Sequence, residues 1–101
     1  RIIIPPNTTI MVDARVTGRS SGGTDNGCYH RRCLIKRDGA NNTTLVGTVQ
    51  TMGTDIESNA AWNVTLAADD TNEGLQVLVT GAAATTIRWV AEVRLIEVSL
   101  A

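Results

Sequence analysis

Two stretches of the chain alternate apolar and polar residues at period two for longer than any others. Across Thr85 to Val98, Ile87, Trp89, Ala91, Val93 and Leu95 fall on one face. The other face carries Arg88, Glu92 and Arg94 among Val90, Ile96 and Val98. A two-residue period with β-branched and aromatic content predicts a half-buried β-strand, here running roughly 40 Å. Asn7 to Arg19 repeats the pattern, with Ile10, Val12, Ala14 and Val16 on one face and Met11, Asp13, Arg15 and Thr17 on the other. The mixed faces are too apolar for plain solvent and too charged for an ordinary core. Contact with another chain, where opposite charges pair, accounts for them; a solvated face dotted with apolar residues is the alternative.

The rest of the chain predicts shorter strands. Ile2 to Ile4 is a strand stopped by Pro5 and Pro6, which cannot donate to a ladder. Ser20 to Gly27 is a loop by its turn chemistry. Cys28 to Arg37 is a third strand and Asp38 to Asn42 a hairpin turn. Thr43 to Met52 is a fourth strand, and Gly53 to Asn59 a loop with room for one helical turn. Ala61 to Ala67 is a fifth strand with Trp62, Val64 and Leu66 on one face; Ala68 to Gly74 turns into a sixth, marked by Leu75, Val77 and Val79. No amphipathic helix of useful length appears. Short strands at turn spacings of roughly ten residues predict a single all-β antiparallel sandwich spanning 1–101.

Composition narrows the function classes. With 3% aromatic residues and no Phe, the core is built from Val, Ile, Leu and Ala. The net charge of −1 supplies no field to draw in nucleic acid. No apolar run approaches the ~20 residues a bilayer-spanning helix needs, so no membrane insertion is expected. The chain opens with Arg1 rather than Met and reads as a fragment of a longer one.

Candidate chemistry is sparse. Cys28 and Cys33 are five residues apart on one strand, about 16 Å, and on opposite faces, so they do not bond to each other. Both read as small fillers. Cys28 and His30 share a face, but two ligands do not close a metal site, and no cofactor is expected. His30, the only histidine, reads as structural. Asp69 to Gly74 is oxygen-rich but lacks calcium-loop spacing; it reads as a hairpin, with Glu73 in a polar turn. Asp55 and Glu57 are a loop carboxylate pair without a second pair beside them. Trp62 and Trp89 sit on apolar faces and read as core.

Several blocks together resemble the C-terminal domains of bacteriophage tail fibres and tailspikes. They are Ala60-Ala61-Trp62-Asn63-Val64-Thr65, Leu75-Gln76-Val77-Leu78-Val79-Thr80-Gly81 and Thr86-Ile87-Arg88-Trp89-Val90-Ala91, with weaker likeness at Ala14–Arg19 and Thr43–Val49. Cys28-Tyr29-His30-Arg31-Arg32-Cys33 departs from that family's small and acidic residues. The resemblance implies a jelly-roll-like β-sandwich ending a virion fibre as a homotrimer. Such a tip locks assembly, binds a host-surface glycan or protein, or does both, and offers no catalytic motif here. The interface is then expected at Asp13, Arg15, Arg88, Glu92 and Arg94, and ligand contacts on the loops at Ser21, Thr24, Asp25, Asn26, Asp55 and Glu57. Two readings compete: a monomeric carbohydrate-binding module, which requires an exposed Trp or Tyr platform, and a small hydrolase using Asp13, Asp55, Glu57 or His30.

Overall fold

A computed structural model describes residues 1–101 as nine strands and one 3-10 turn. The strands are β1 (Ile2–Ile3), β2 (Thr8–Ser20), β3 (Asn26–Arg37), β4 (Thr43–Leu45), β5 (Gln50–Thr51), β6 (Ile56–Glu57), β7 (Asn63–Asp69), β8 (Gly74–Thr80) and β9 (Ile87–Ser99); the turn is Ser21–Gly23. The chain is all-β and antiparallel, in two sheets that form a sandwich. The large sheet runs β4-β3-β2-β9, with β5 and β6 following β4 along the outer edge of β3. The small sheet runs β1-β8-β7.

The strict alternation of β2 puts Ile10, Val12, Ala14 and Val16 inside, each 2% exposed or less. Ile10, Val12 and Ala14 meet Ile35 and Cys33 of β3, Leu66 of β7, Leu75 of β8 and Ile4, which follows β1. A second cluster joins Val16, Tyr29, Trp62 and Val64. Trp89 packs against it, its ring 5.3 Å from Trp62 and 6.1 Å from Tyr29. All three aromatic residues of the chain thus form one internal group. Trp89 lies across Gly18, where a Cβ would come within 2.6 Å of the indole. Only glycine leaves that ring room.

The long strands follow the alternation closely, and Cys28 and Cys33 are free thiols on opposite faces. Cys33 is the buried filler; Cys28 is exposed on the outer face, a correction to the reading of both as fillers. The stretch Thr43 to Met52 is broken rather than continuous. Gly47 takes a left-handed conformation (φ 76°) and splits it into β4 and β5, both paired to β3. No helical turn forms between Gly53 and Asn59; Ile56 and Glu57 pair with β3 instead. Glu73 is no bystander in a polar turn. Its carboxylate accepts a hydrogen bond from Thr43 Oγ1 at 2.5 Å and lies 3.5 Å from Arg37 Nε, tying the two sheets together.

Candidate functional site

The two sheets do not cover each other evenly. β7 lies over β3 and β4, whereas β1 is only two residues long, so the flank of the sandwich under β9 is open. Leu95 stands opposite Val12 and Val79 opposite Val64, so both face inward. Yet Leu95 is 40% exposed and Val79 42% exposed. Ala91, opposite the buried Val16, is exposed as well.

β9 is also the end of the large sheet. It pairs with β2 over all thirteen residues and with nothing on its other side. A long unpaired edge is a template for another strand, and of the devices that ordinarily blunt such edges β9 carries charge, at Arg88, Glu92, Arg94 and Glu97, but no proline. Here Val90, Ile96 and Val98 are each more than 60% exposed on its outer face.

That outer face carries the predicted interface residues, and the register shows which of them meet. Asp13 stands between Arg32 of β3 and Arg94 of β9; Arg15 stands between His30 and Glu92. Asp13 accepts a hydrogen bond from His30 and lies 3.8 Å from Arg15. Arg94 Nε donates to Glu92 Oε1 at 3.0 Å along the same strand. A band of alternating charge therefore crosses the middle of the sheet. Apolar rows bound it: Leu34, Met11 and Ile96 on one side, and Val90 with Thr17 and Cys28 on the other. Arg88 stands apart at the far end, opposite Arg19. Sequence reasoning missed His30 as a partner of Asp13; counting back from a Ser20–Gly27 loop sets them two rows apart, and it is the start of β3 at Asn26, opposite Arg19, that brings them within one row.

The predicted ligand loops converge at the end of the sandwich near Arg19. Asn26 N–H donates to Ser58 Oγ at 2.9 Å, and Asn59 Nδ2 donates to Asp25 Oδ2 at 3.2 Å, lacing the two loops together. Ser21 and Thr24 are exposed there. Two shallow hollows, about 450 and 530 Å³, flank Arg19; Ser21, Gly22 and Arg88 line one, Asn26, Glu57 and Ser58 the other.

Asp55 and Glu57 point to the interior. Arg31, 4% exposed, donates through its guanidinium to both oxygens of Asp55 at 2.6 and 2.9 Å and to Val64 C=O at 2.8 Å. This bidentate pair holds the Asp55 carboxyl below the usual carboxylate range and raises the Arg31 pKa. Tyr29 donates to Glu57 at 2.6 Å, and burial, then that carboxylate, push the phenol's pKa up. Both acids anchor the 55–57 segment to the core. No group of three or more His, Cys, Asp or Glu side chains comes together. Compared with family models, curated proteins and solved structures, the chain matches none.

Proposed function

We propose that the domain is a non-enzymatic self-assembly and attachment module at the tip of a phage tail fibre or tailspike, acting on the virion at the host cell surface. The observation that carries the assembly half is β9: thirteen residues at a bare sheet edge, with exposed apolar side chains among charged ones, above an open flank of the sandwich. A second copy is the simplest partner, because the same face offers both signs of charge. The attachment half rests on the laced loops around Arg19, which present hydroxyl, amide and guanidinium groups to a host glycan or protein. The jelly-roll-like arrangement belongs to the same reading. It is supported by the chain crossing between the sheets three times: from β1 to β2, from β6 to β7 and from β8 to β9.

The competing carbohydrate-binding module needs an exposed aromatic platform, and Tyr29 and Trp62 are buried with Trp89 packed on both. Mass in solution by light scattering tests the proposal. More than one copy per particle is expected; a single copy at every concentration overturns the assembly half. Glycan and host-surface binding by the assembled protein, lost on Arg19→Ala, tests the other half; binding unchanged by that substitution removes the loop end as the attachment site. The resemblance implies three copies.

A further inference from the structure

We infer that Arg19 and Arg88 together bind the anionic group, carboxylate or phosphate, of an acidic polysaccharide of the host surface, in the hollow that both line at the loop end of the sandwich. This rests on the attachment reading above and adds the chemical class of the ligand.

Every other arginine of the chain has an acceptor. Arg1, Arg15, Arg31, Arg37 and Arg94 each pair with a carboxylate, and Arg32 donates to Gln50. Arg19 and Arg88 have neither, and they stand directly opposite each other on β2 and β9. Like charges so placed destabilise a sheet, because their Cβ atoms are only about 5 Å apart. Composition does not force this, since the chain carries 10 acids to 9 bases. No carboxylate shares their row or the next: Asn26 completes the first, and Cys28, Thr17 and Val90 form the second. The acids of this end are already used, Asp25 by Asn59, Asp55 by Arg31 and Glu57 by Tyr29. Glu92, the first acid along the outer face of β9, is about 13 Å from Arg88 along the strand and accepts from Arg94.

The surroundings suit a ligand. The hollow, about 450 Å³, falls within the ~300–1,000 Å³ of small-ligand sites, and Val90 is its one apolar side chain. Thr17, Ser21 and Thr86, all exposed, bring hydroxyls to its wall. The turn beside it holds Gly22 and Gly23 in left-handed conformations, at φ 79° and 73°. A Cβ at Gly22 would meet nothing within 4 Å, so the turn leaves that side open. A Cβ at Gly23 would come within 2.7 Å of Arg19 Cζ, so the bare glycine is what lets the guanidinium lie over the turn.

Guanidiniums match carboxylate and phosphate oxygens two at a time. No aromatic face lines the hollow for a sugar ring to stack on, so charge supplies the affinity and the hydroxyls meet those of the sugar. A protein partner would need an apolar or aromatic anchor at the centre of its contact, and Val90 alone is on offer. A polymer suits the pair better than a free anion does. Each copy in an assembly repeats the two arginines, so a chain of acidic sugars is met at several points at once.

The test uses the full chain and three probes: a short oligomer of glucuronic acid, its uncharged methyl ester and a short poly(glycerol phosphate). Calorimetry on wild type should show binding of at least one acidic probe, and which one binds tells carboxylate from phosphate. The ester should bind about tenfold more weakly than the acid, or not at all. Arg19→Ala and Arg88→Ala should each weaken acidic binding about tenfold or more. Arg88→Lys should restore it only in part, since an ammonium lacks the planar fork. Lys36→Ala removes a charge from the same sheet roughly 30 Å away along β3 and should leave binding unchanged. Without ligand, Arg88→Ala should melt at the wild-type temperature or slightly above, because it removes a repulsion. Equal binding of acid and ester, no binding of either acidic probe, or acidic binding unchanged in Arg88→Ala overturns the acidic ligand; host-surface binding still lost on Arg19→Ala then leaves the attachment reading standing. Self-association lost together with binding in Arg88→Ala, read by sedimentation, assigns the pair to a contact between copies and also overturns it. Host-surface binding untouched by Arg19→Ala overturns both.

Discussion

β2 and β9 are the same length, alternate in the same way and lie side by side, yet one is the centre of the molecule and the other its margin. Every inward residue of β2 from Ile10 to Val16 is sealed; none of the thirteen residues of β9 is. The difference does not come from the strands themselves. It comes from what lies over them: β7 and β8 with Ile4 over β2, and an open flank over β9. Alternation reports that one face is suited to burial. Whether this copy or another supplies the cover depends on how far the second layer reaches, a property of distant segments.

The sharpest way to break the comparison is to truncate one inward residue on each strand. Ile10→Ala should cost about 2–5 kcal/mol, the loss of a sealed side chain plus the cavity left behind. Leu95→Ala, measured at concentrations where the chain is dispersed, should cost about 1 kcal/mol or less, since its side chain is already part-solvated. At assembling concentrations the cost at Leu95 should grow. Urea melts at two concentrations check this; equal losses at the two sites in the dispersed chain would mean that the flank under β9 is closed.

Next in size is the anchor on the opposite edge, where β3 is covered. Asp55→Ala leaves the Arg31 guanidinium buried without its carboxylate and should cost about 3 kcal/mol, the low end for such a break because Asp55 keeps some solvent contact. The pH dependence has a definite sign. Arg31 holds the folded Asp55 pKa below its unfolded value, so its stabilisation is complete above the ordinary carboxylate pKa of about 3.9 and is lost as pH falls through the lowered value. Asp38 and Asp69, held low by hydrogen bonds from Asn42 and Asn72, act in the same direction. Thermal melts from neutral to acid pH should show a smaller acid-induced loss in Asp55→Asn than in wild type. Identical losses would show that the Arg31 contact does not stabilise the charged carboxylate.

Glu73→Ala should come third, at about 1.5–3 kcal/mol, because it removes a charge-assisted bond from the buried Thr43 and the partner of Arg37. Chemical denaturation checks it; a loss below about 0.5 kcal/mol, the range of a free surface residue, would return Glu73 to the solvent.

Much of this was legible in the residues, and the failures share a cause. The faces of β2, β7 and β9 followed from period two, and the separation of Cys28 from Cys33 followed from strand geometry. Glu73 was not legible, because its partners Thr43 and Arg37 lie some thirty residues away or more. The break at Gly47 was hidden by Thr/Val-rich flanks with good strand propensity. Asp55 and Glu57 looked like surface loop acids because Arg31 and Tyr29, which hold them inward, belong to a strand more than twenty residues earlier. Of the candidate interface residues, Asp13, Arg15, Glu92 and Arg94 came together as one band because alternation put them on one face. Arg88 did not join them, since strand register rather than facing decides which residues share a row.

The smallest effect separates the two strands most cleanly, since it leaves the fold alone. Met11 and Ile96 stand side by side on the outer face, one on each strand, and both are exposed. Replacing either by Thr removes apolar surface already in water and keeps a β-branched or strand-compatible shape. In the dispersed chain both substitutions should therefore stay within about 0.5 kcal/mol of wild type. Only Ile96 lies on the strand with the open edge, where another chain can add. Ile96→Thr should lower association severalfold, while Met11→Thr, one strand further in, should change it less. Sedimentation across a dilution series reads the difference directly. If Met11→Thr weakens association as much as Ile96→Thr or more, the contact spreads over the face of the large sheet, and the edge of β9 is no longer what distinguishes it from β2.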